Sequence, residues 1–328
     1  MIDIREFESW ILDYYEPAMR INGVKGDYLR DWGEEKGELY GLADMACTLY
    51  TLNVLNPDEA ELNVWKEGFK QYEKEDGQIL EHVMVHGPPH NCAMALGAMN
   101  LLGIKPTYPL TFMDHMISKE GLLEWLKSLD WVDNTYSASH DGSGLACCMA
   151  LVPETVPKEW FDWYFDFCDS MFDPKNGMMG TNKPPEGDKD GIGGTFHYQF
   201  IYEHFNRPVP YPEARIDSVL GLQMPEGDWS GGRSWWMTLD ALYMLTRSVW
   251  RCHHRADDVA EAVRRAARYY TDNVLNPDYR AEHFEGFYGV HNVNACISLL
   301  AECQIYLGNH EIITERPLKS VLDKRPFI

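Results

Sequence analysis

Self-similarity constrains this chain more than any other feature of its sequence. The phrase Asn-Val-Leu-Asn-Pro-Asp occurs at Asn53–Asp58 and again at Asn273–Asp278. The copies lie 220 residues apart, four times 55, and one sixth of the 328-residue chain is also close to 55. Loop histidines keep a similar step, with 54 residues from His86 to His140 and 57 from His140 to His197. His291 follows later, with Trp235 and Trp236 between, and Trp32 stands about one step before His86. A fixed period of this length marks a repeat architecture, because one helical pair cannot bury its own apolar face. The chain reads as six units, each a polar loop, an apolar small-residue helix and a more polar helix. This predicts an all-α fold, an (α/α)6 toroid of six helical hairpins forming a single domain over residues 1–328. The small-residue helices carry Ala43 and Ala46, Ala93 and Ala98, Ala146 and Ala150, Ala295 and Ala301. Small side chains suit the crowded axis of a ring, and the amphipathic helices belong outside.

The boundaries follow from periodicity and punctuation. Residues 3–20 read as an amphipathic helix, 37–56 as an apolar one and 58–74 as a polar-faced one. A small-residue helix is expected over 91–103, with Gly103 as its C-cap. A polar-faced helix spans 110–129, a loop 130–144 and an apolar helix 145–152. Residues 158–172 read as a helix, and the 22 residues from 173 to 194 as a long loop, a candidate lid or rim. A charged helix covers 256–273 and an apolar one 292–308. The tail after Asn309 reads as a short extended segment on the surface.

Composition removes several functions. Net charge is −22, which argues against nucleic acid, since phosphate binding needs a basic surface. It argues equally against docking on anionic membranes. The 8 cysteines have no paired spacing and most sit in apolar helical runs, as reduced core thiols of a cytoplasmic protein would. The N-terminus has no apolar signal segment, and no apolar run reaches the ~18 residues that a membrane span needs. The 11 Trp, 18 Tyr and 13 Phe supply a large aromatic core or cavity wall. A small-molecule substrate is the partner these features leave.

One segment carries a family resemblance. Leu220-Gly-Leu-Gln223-Met-Pro-Glu-Gly227-Asp-Trp229 fits the Q-x(n)-G-x-W repeat, and the runs at Asp76 and Glu285 resemble degenerate copies. The chain thus resembles the terpenoid cyclase/protein prenyltransferase α/α-toroid superfamily. The resemblance implies a structural role for Gln223 and Trp229, tying helix ends together. The D-x-D-D acid of the squalene-type cyclases is missing. His197 lies in a segment that resembles the zinc-histidine segment of the prenyltransferases, but its D-x-C partner is missing as well. An isoprenoid cyclase or transferase is therefore the alternative reading, and a non-catalytic binding module the third.

The candidate site residues come from the repeat. If the six inner helices share a direction, their N-termini gather on one face with free N–H groups and partial positive charge. The residues at those starts are Asp31 and Trp32; His86, His90 and Asn91; Asn134, Tyr136, His140 and Asp141; His197 and Tyr198; Trp235 and Trp236; His291 and Asn292. Tyr136, His140, Asp141, His197 and His291 are the candidate proton-transfer groups, His140-Asp141 being a possible acid/base pair. Trp32, His86, His90, Asn134, Tyr198, Trp235, Trp236 and Asn292 are the candidate substrate contacts. His86-x3-His90 has zinc-like spacing. Gly87-Pro88-Pro89 argues against a helical turn there, and a third ligand would have to come from another repeat, so neither metal nor cofactor is assigned. The Gly191–Gly194 run reads as a hinge or a tight approach of backbones rather than a phosphate loop. A field of positive helix ends favours neutral histidines and anionic transition states. This chemistry fits an acid/base lyase or hydrolase acting on a small polar, carbohydrate-like substrate in the central cavity.

Overall fold

A computed structural model describes residues 1–82, 86–180, 189–231 and 234–328, the side chain of Lys189 excepted. Residues 181–188 of the expected lid lie outside the described residues. The chain is all-α, with fourteen α-helices and a single two-stranded pairing among the described residues. The N-terminal helix runs through α1 (Arg5–Trp10), a π-helical turn (Ile11–Tyr15) and α2 (Glu16–Met19). Then come α3 (Leu39–Thr51), α4 (Glu59–Lys70), α5 (Pro88–Leu102), α6 (Lys119–Ser128) and α7 (Thr135–Leu151). The second half holds α8 (Trp160–Asp169), α9 (Lys189–His204), α10 (Pro212–Gly221) and α11 (Trp235–Cys252). It ends with α12 (Ala256–Val274), α13 (Pro277–Phe284) and α14 (Gly289–Leu307).

Six of these helices are apolar on nearly every face: α3, α5, α7, α9, α11 and α14. Helices buried all round belong in a core. They pack in sequence, α3 on α5, α5 on α7, α7 on α9, α9 on α11, α11 on α14, and α14 back on α3. Their first residues are 49, 47, 54, 46 and 54 positions apart. The amphipathic helices α4, α6, α8, α10 and α12 alternate with them in the chain. One hydrophobic cluster runs from Ile4 to Phe327. The cysteines are all free thiols, and every one but Cys252 is buried. No helix among the described residues is long and apolar enough to cross a membrane.

Four sequence expectations change. The two Asn-Val-Leu-Asn-Pro-Asp phrases are not equivalent. The first follows the apolar α3, and the second follows the amphipathic α12. They share only helix punctuation: each stops one helix and supplies a polar cap for the next, Asp58 to Glu61 N–H at 2.9 Å and Asn276 to Asp278 N–H at 2.9 Å. Second, Pro88 and Pro89 do form a helical turn, because a first turn needs no donor from them. His90 is therefore helical. Third, α7 begins at Thr135, ten residues before its expected start, on the Asn134 cap. Tyr136, His140 and Asp141 thus stand on a helix, not a loop.

The fourth change concerns the tail, which goes inward. Ile312–Ile313 pairs in parallel with Ile2–Asp3. Beyond it Leu318, Val321, Leu322, Arg325 and Phe327 are buried. The tail is held near the C-terminal ends of the apolar helices. Lys319 N–H bonds the Thr51 carbonyl at 2.9 Å, Leu318 N–H bonds Gln304 Oε1 at 2.7 Å, and Asp323 meets Arg247 at 2.9 Å. Arg325 lies against Gly97, where a Cβ would come within 2.5 Å of its guanidinium. Its apolar side chains explain the path, since a surface course would leave all of them wet.

Gln223 and Trp229 both tie α10 to its surroundings. Gln223 Nε2 donates to the Ala262 and Gly227 carbonyls, each at 2.9 Å, and Trp229 Nε1 donates to Val219 O at 2.7 Å. Trp229 is fully buried.

Candidate functional site

A small pocket of about 50 Å³ lies at the N-terminal turns of the apolar helices. His86, His90, Met94, Tyr136, His140, His197, Trp236, Asp240, His291 and Ile328 line it. Most of these residues obey one rule. An apolar helix sends positions i and i+4 of its early turns to the same side, as 90/94, 136/140 and 236/240 do. On α3 the pair Tyr40/Asp44 borders the lining through His90 and His291. On α9 the pair is Gly193/His197.

Two glycines set how closely the helices approach. A Cβ on Gly144 of α7 would sit 2.7 Å from Pro89 C and 2.8 Å from His90 N, so α7 rides on the first turn of α5. This brings the His140 ring to 4.8 Å from His90 and 4.3 Å from His86, with His86 4.3 Å from His90. A Cβ on Gly193 would fall 2.6 Å from the Tyr136 ring and 3.3 Å from Asp240 Oδ2. The bare backbone of α9 thus lets Tyr136 and Asp240 lie side by side. Tight approach is what the Gly191–Gly194 run provides.

Hydrogen-bond partners assign tautomers to two of the histidines. Ser139 Oγ donates its one proton to the Tyr136 carbonyl at 2.6 Å, so it accepts from His197 Nδ1–H at 2.7 Å. His197 Nε2 is then a bare acceptor. His291 Nδ1 bonds Asp44 Oδ2 at 2.9 Å, and Asp44 Oδ1 accepts from Asn294 Nδ2 at 2.9 Å. This fixes an Asp–His dyad, with no partner on His291 Nε2 among the described residues. The Trp236 ring covers His291 at 4.3 Å, and its buried indole N–H meets no acceptor among the described residues.

Burial sets the protonation states. Desolvation, with the neighbouring imidazoles, lowers the His86 pKa to about 4, His140 to about 2 and His197 to about 3. His90 is lowered too, by the same causes. Desolvation acts the opposite way on the acid, raising Asp240 well above the usual carboxylate range. It also raises Tyr136. The cavity therefore sets His86, His90, His140 and His197, all held below their usual range, beside a carboxyl held well above its own.

Of the residues expected from sequence, His86, His90, Tyr136, His140, His197, Trp236 and His291 come together here. The others lie elsewhere. Asp141 packs against Gly87, where a Cβ would come within 2.3 Å of Oδ1, on the flank of α7 away from the lining. One helical step rotates it about 100° from His140, so adjacent residues do not face one site. Tyr198 is buried against Trp131 and Tyr164. Trp235 donates to the Tyr279 hydroxyl at 3.0 Å. Trp32 stacks on Tyr15 at 5.5 Å, and Asp31 accepts from Tyr288 N–H at 2.6 Å. Asn134 is a cap, Asn292 bonds the His283 carbonyl at 3.0 Å, and Asn91 bonds the His86 carbonyl at 3.0 Å. Sequence reasoning missed Asp240, Asp44, Tyr40 and Met94. The signal for Asp240 and Asp44 is a lone carboxylate four residues after an aromatic, in a helix that is otherwise apolar.

No protein-family model matches the chain, and no curated protein shows significant similarity to it.

Proposed function

We propose that the chain is a six-hairpin α/α toroid whose axial cavity carries acid/base chemistry on a small polar substrate, as a lyase or hydrolase. The cyclic packing of six apolar helices, last on first, supports the architecture. The observation that carries the chemistry is the meeting, in one pocket, of imidazoles with a buried carboxyl that desolvation holds well above the usual carboxylate range. An imidazole base and a carboxylic acid facing one substrate can take and give a proton in a single step. His291, oriented by Asp44, and His197, oriented by Ser139, are the bases, each with Nε2 free. Asp240, flanked by Tyr136, is the acid. The Trp236 indole N–H is a donor for a substrate oxygen.

The cavity's size limits what enters it. A space of about 50 Å³ takes a reacting group and one or two waters, so a carbohydrate-like substrate would present one end from outside. Hydrogen-bonding side chains supply the lining, which favours this reading over carbocation chemistry.

The test is a thermal-shift screen of sugars, sugar acids and small hydroxy acids, followed by product analysis of each stabilising compound. Replacement of His291, His197 or Asp240 by Ala, Ala and Asn should each lower kcat by roughly 10²–10⁴. Variants that turn over a hit at the wild-type rate would sink the assignment.

A further inference from the structure

The cluster of His86, His90 and His140 is left over from proton transfer, and it has the composition of a ligand set. Their ligand nitrogens all lie within 4.8 Å of one another. The imidazole nitrogens of His86 and His140 meet no hydrogen-bonding partner among the described residues. Neither a carboxylate nor a Lys or Arg belongs to the group. We propose that His86, His90 and His140 form a three-histidine site for a divalent transition-metal ion, with the fourth position opening into the cavity.

Three further features support the site. The donor set is all imidazole, which suits zinc and its neighbours rather than calcium or magnesium. A tetrahedral ion with ~2.1 Å bonds places its nitrogens about 3.4 Å apart, so the rings need only close inward by side-chain rotation. The supporting contacts are also present. Tyr40 Oη lies 3.1 Å from His90 Nδ1; with a metal on Nε2 the proton would sit on Nδ1 and Tyr40 Oη would accept it. Asn91 Nδ2 bonds the carbonyl of His86 at 3.0 Å and fixes the segment that carries it. The local spacing, His86-x3-His90, straddles the Gly87 cap of α5, and His140 comes from the second turn of α7. The remaining position faces the ~50 Å³ space, with room for a water.

The site makes a prediction that needs no knowledge of substrate. Full-length protein stripped with a chelator is titrated with ZnCl2 by calorimetry, and with CoCl2 to read the ligand-field absorption of a tetrahedral site. One equivalent should bind. His90→Ala and His140→Ala should weaken binding on the order of 100-fold or more, and Tyr40→Phe about 10-fold, as loss of a supporting hydrogen bond does. His254→Ala, on the surface beside Asp217, should bind as wild type. Circular dichroism checks each variant; if His90→Ala is unfolded, His86→Asn and Tyr40→Phe carry the test. Absence of stoichiometric binding by folded wild type overturns the proposal. So does equal binding by wild type and the folded His86→Asn and His140→Ala variants. Because the readout is binding, it stands or falls apart from the acid/base reading.

Discussion

A carboxyl group 3 % exposed, with no cation facing it among the described residues, is held well above the usual carboxylate range by desolvation; Asp240 is such a group. In the unfolded chain it ionises near pH 3.9. Above that pH the folded state holds a proton that the unfolded state has lost, so this residue's contribution to stability falls as pH rises. Tyr136 on α7 and the imidazoles of His197 and His291 line the same pocket. Asp240→Asn removes the cost of retaining that proton. Its melting temperature should exceed that of wild type at pH 8, and the difference should vanish near pH 4. Melting curves at the two pH values decide it. The residue was legible only in part. Its position four after Trp236 is plain in the sequence, but burial and the missing counter-charge belong to α9, which Gly193 admits so closely.

Among the helices, α7 is the element that organises the site. It rests on α5 through Gly144 and carries both Tyr136 and His140. Gly144→Ala would force the two helices apart at Pro89 and His90, at a cost of about 1–3 kcal/mol. It should also weaken zinc binding, because His140 and His90 would separate; calorimetry on the folded variant checks this. The strap formed by Gln223 and Trp229 is the opposite case, an element that holds and does no chemistry. Trp229→Ala should cost about 3–5 kcal/mol and leave zinc affinity unchanged. Helix identities were legible from apolar runs and small residues. Helix starts were not, because Gly142 and Gly144 spell a loop to any local rule, and only the neighbouring helix explains them. The Asn134 cap is the local sign that α7 begins earlier. The step of about 55 was also misleading in detail: the apolar helices start 46 to 54 residues apart, and the phrase that suggested the longer step marks two different kinds of junction. Six units were still the right number of apolar helices.

Across the whole molecule, the tail joins regions distant in the chain. Phe327 lies 5.1 Å from the His90 ring and 5.7 Å from Phe200. Phe327→Ala should cost about 3–5 kcal/mol and loosen the histidine cluster as well, seen as a lower melting temperature and weaker zinc binding together. A tail that looks short and extended gives no sign of this course, because its target, the space among the ends of α3, α11 and α14, exists only once those helices have packed.

That course has a consequence for traffic. On the proposed toroid, Leu318 to Ile328 would stop one end of the axis, with Phe327 against His90 and Ile328 in the pocket lining. A substrate of the proposed reaction would then enter and leave by one side, which suits chain ends and single small molecules rather than a polymer threaded through.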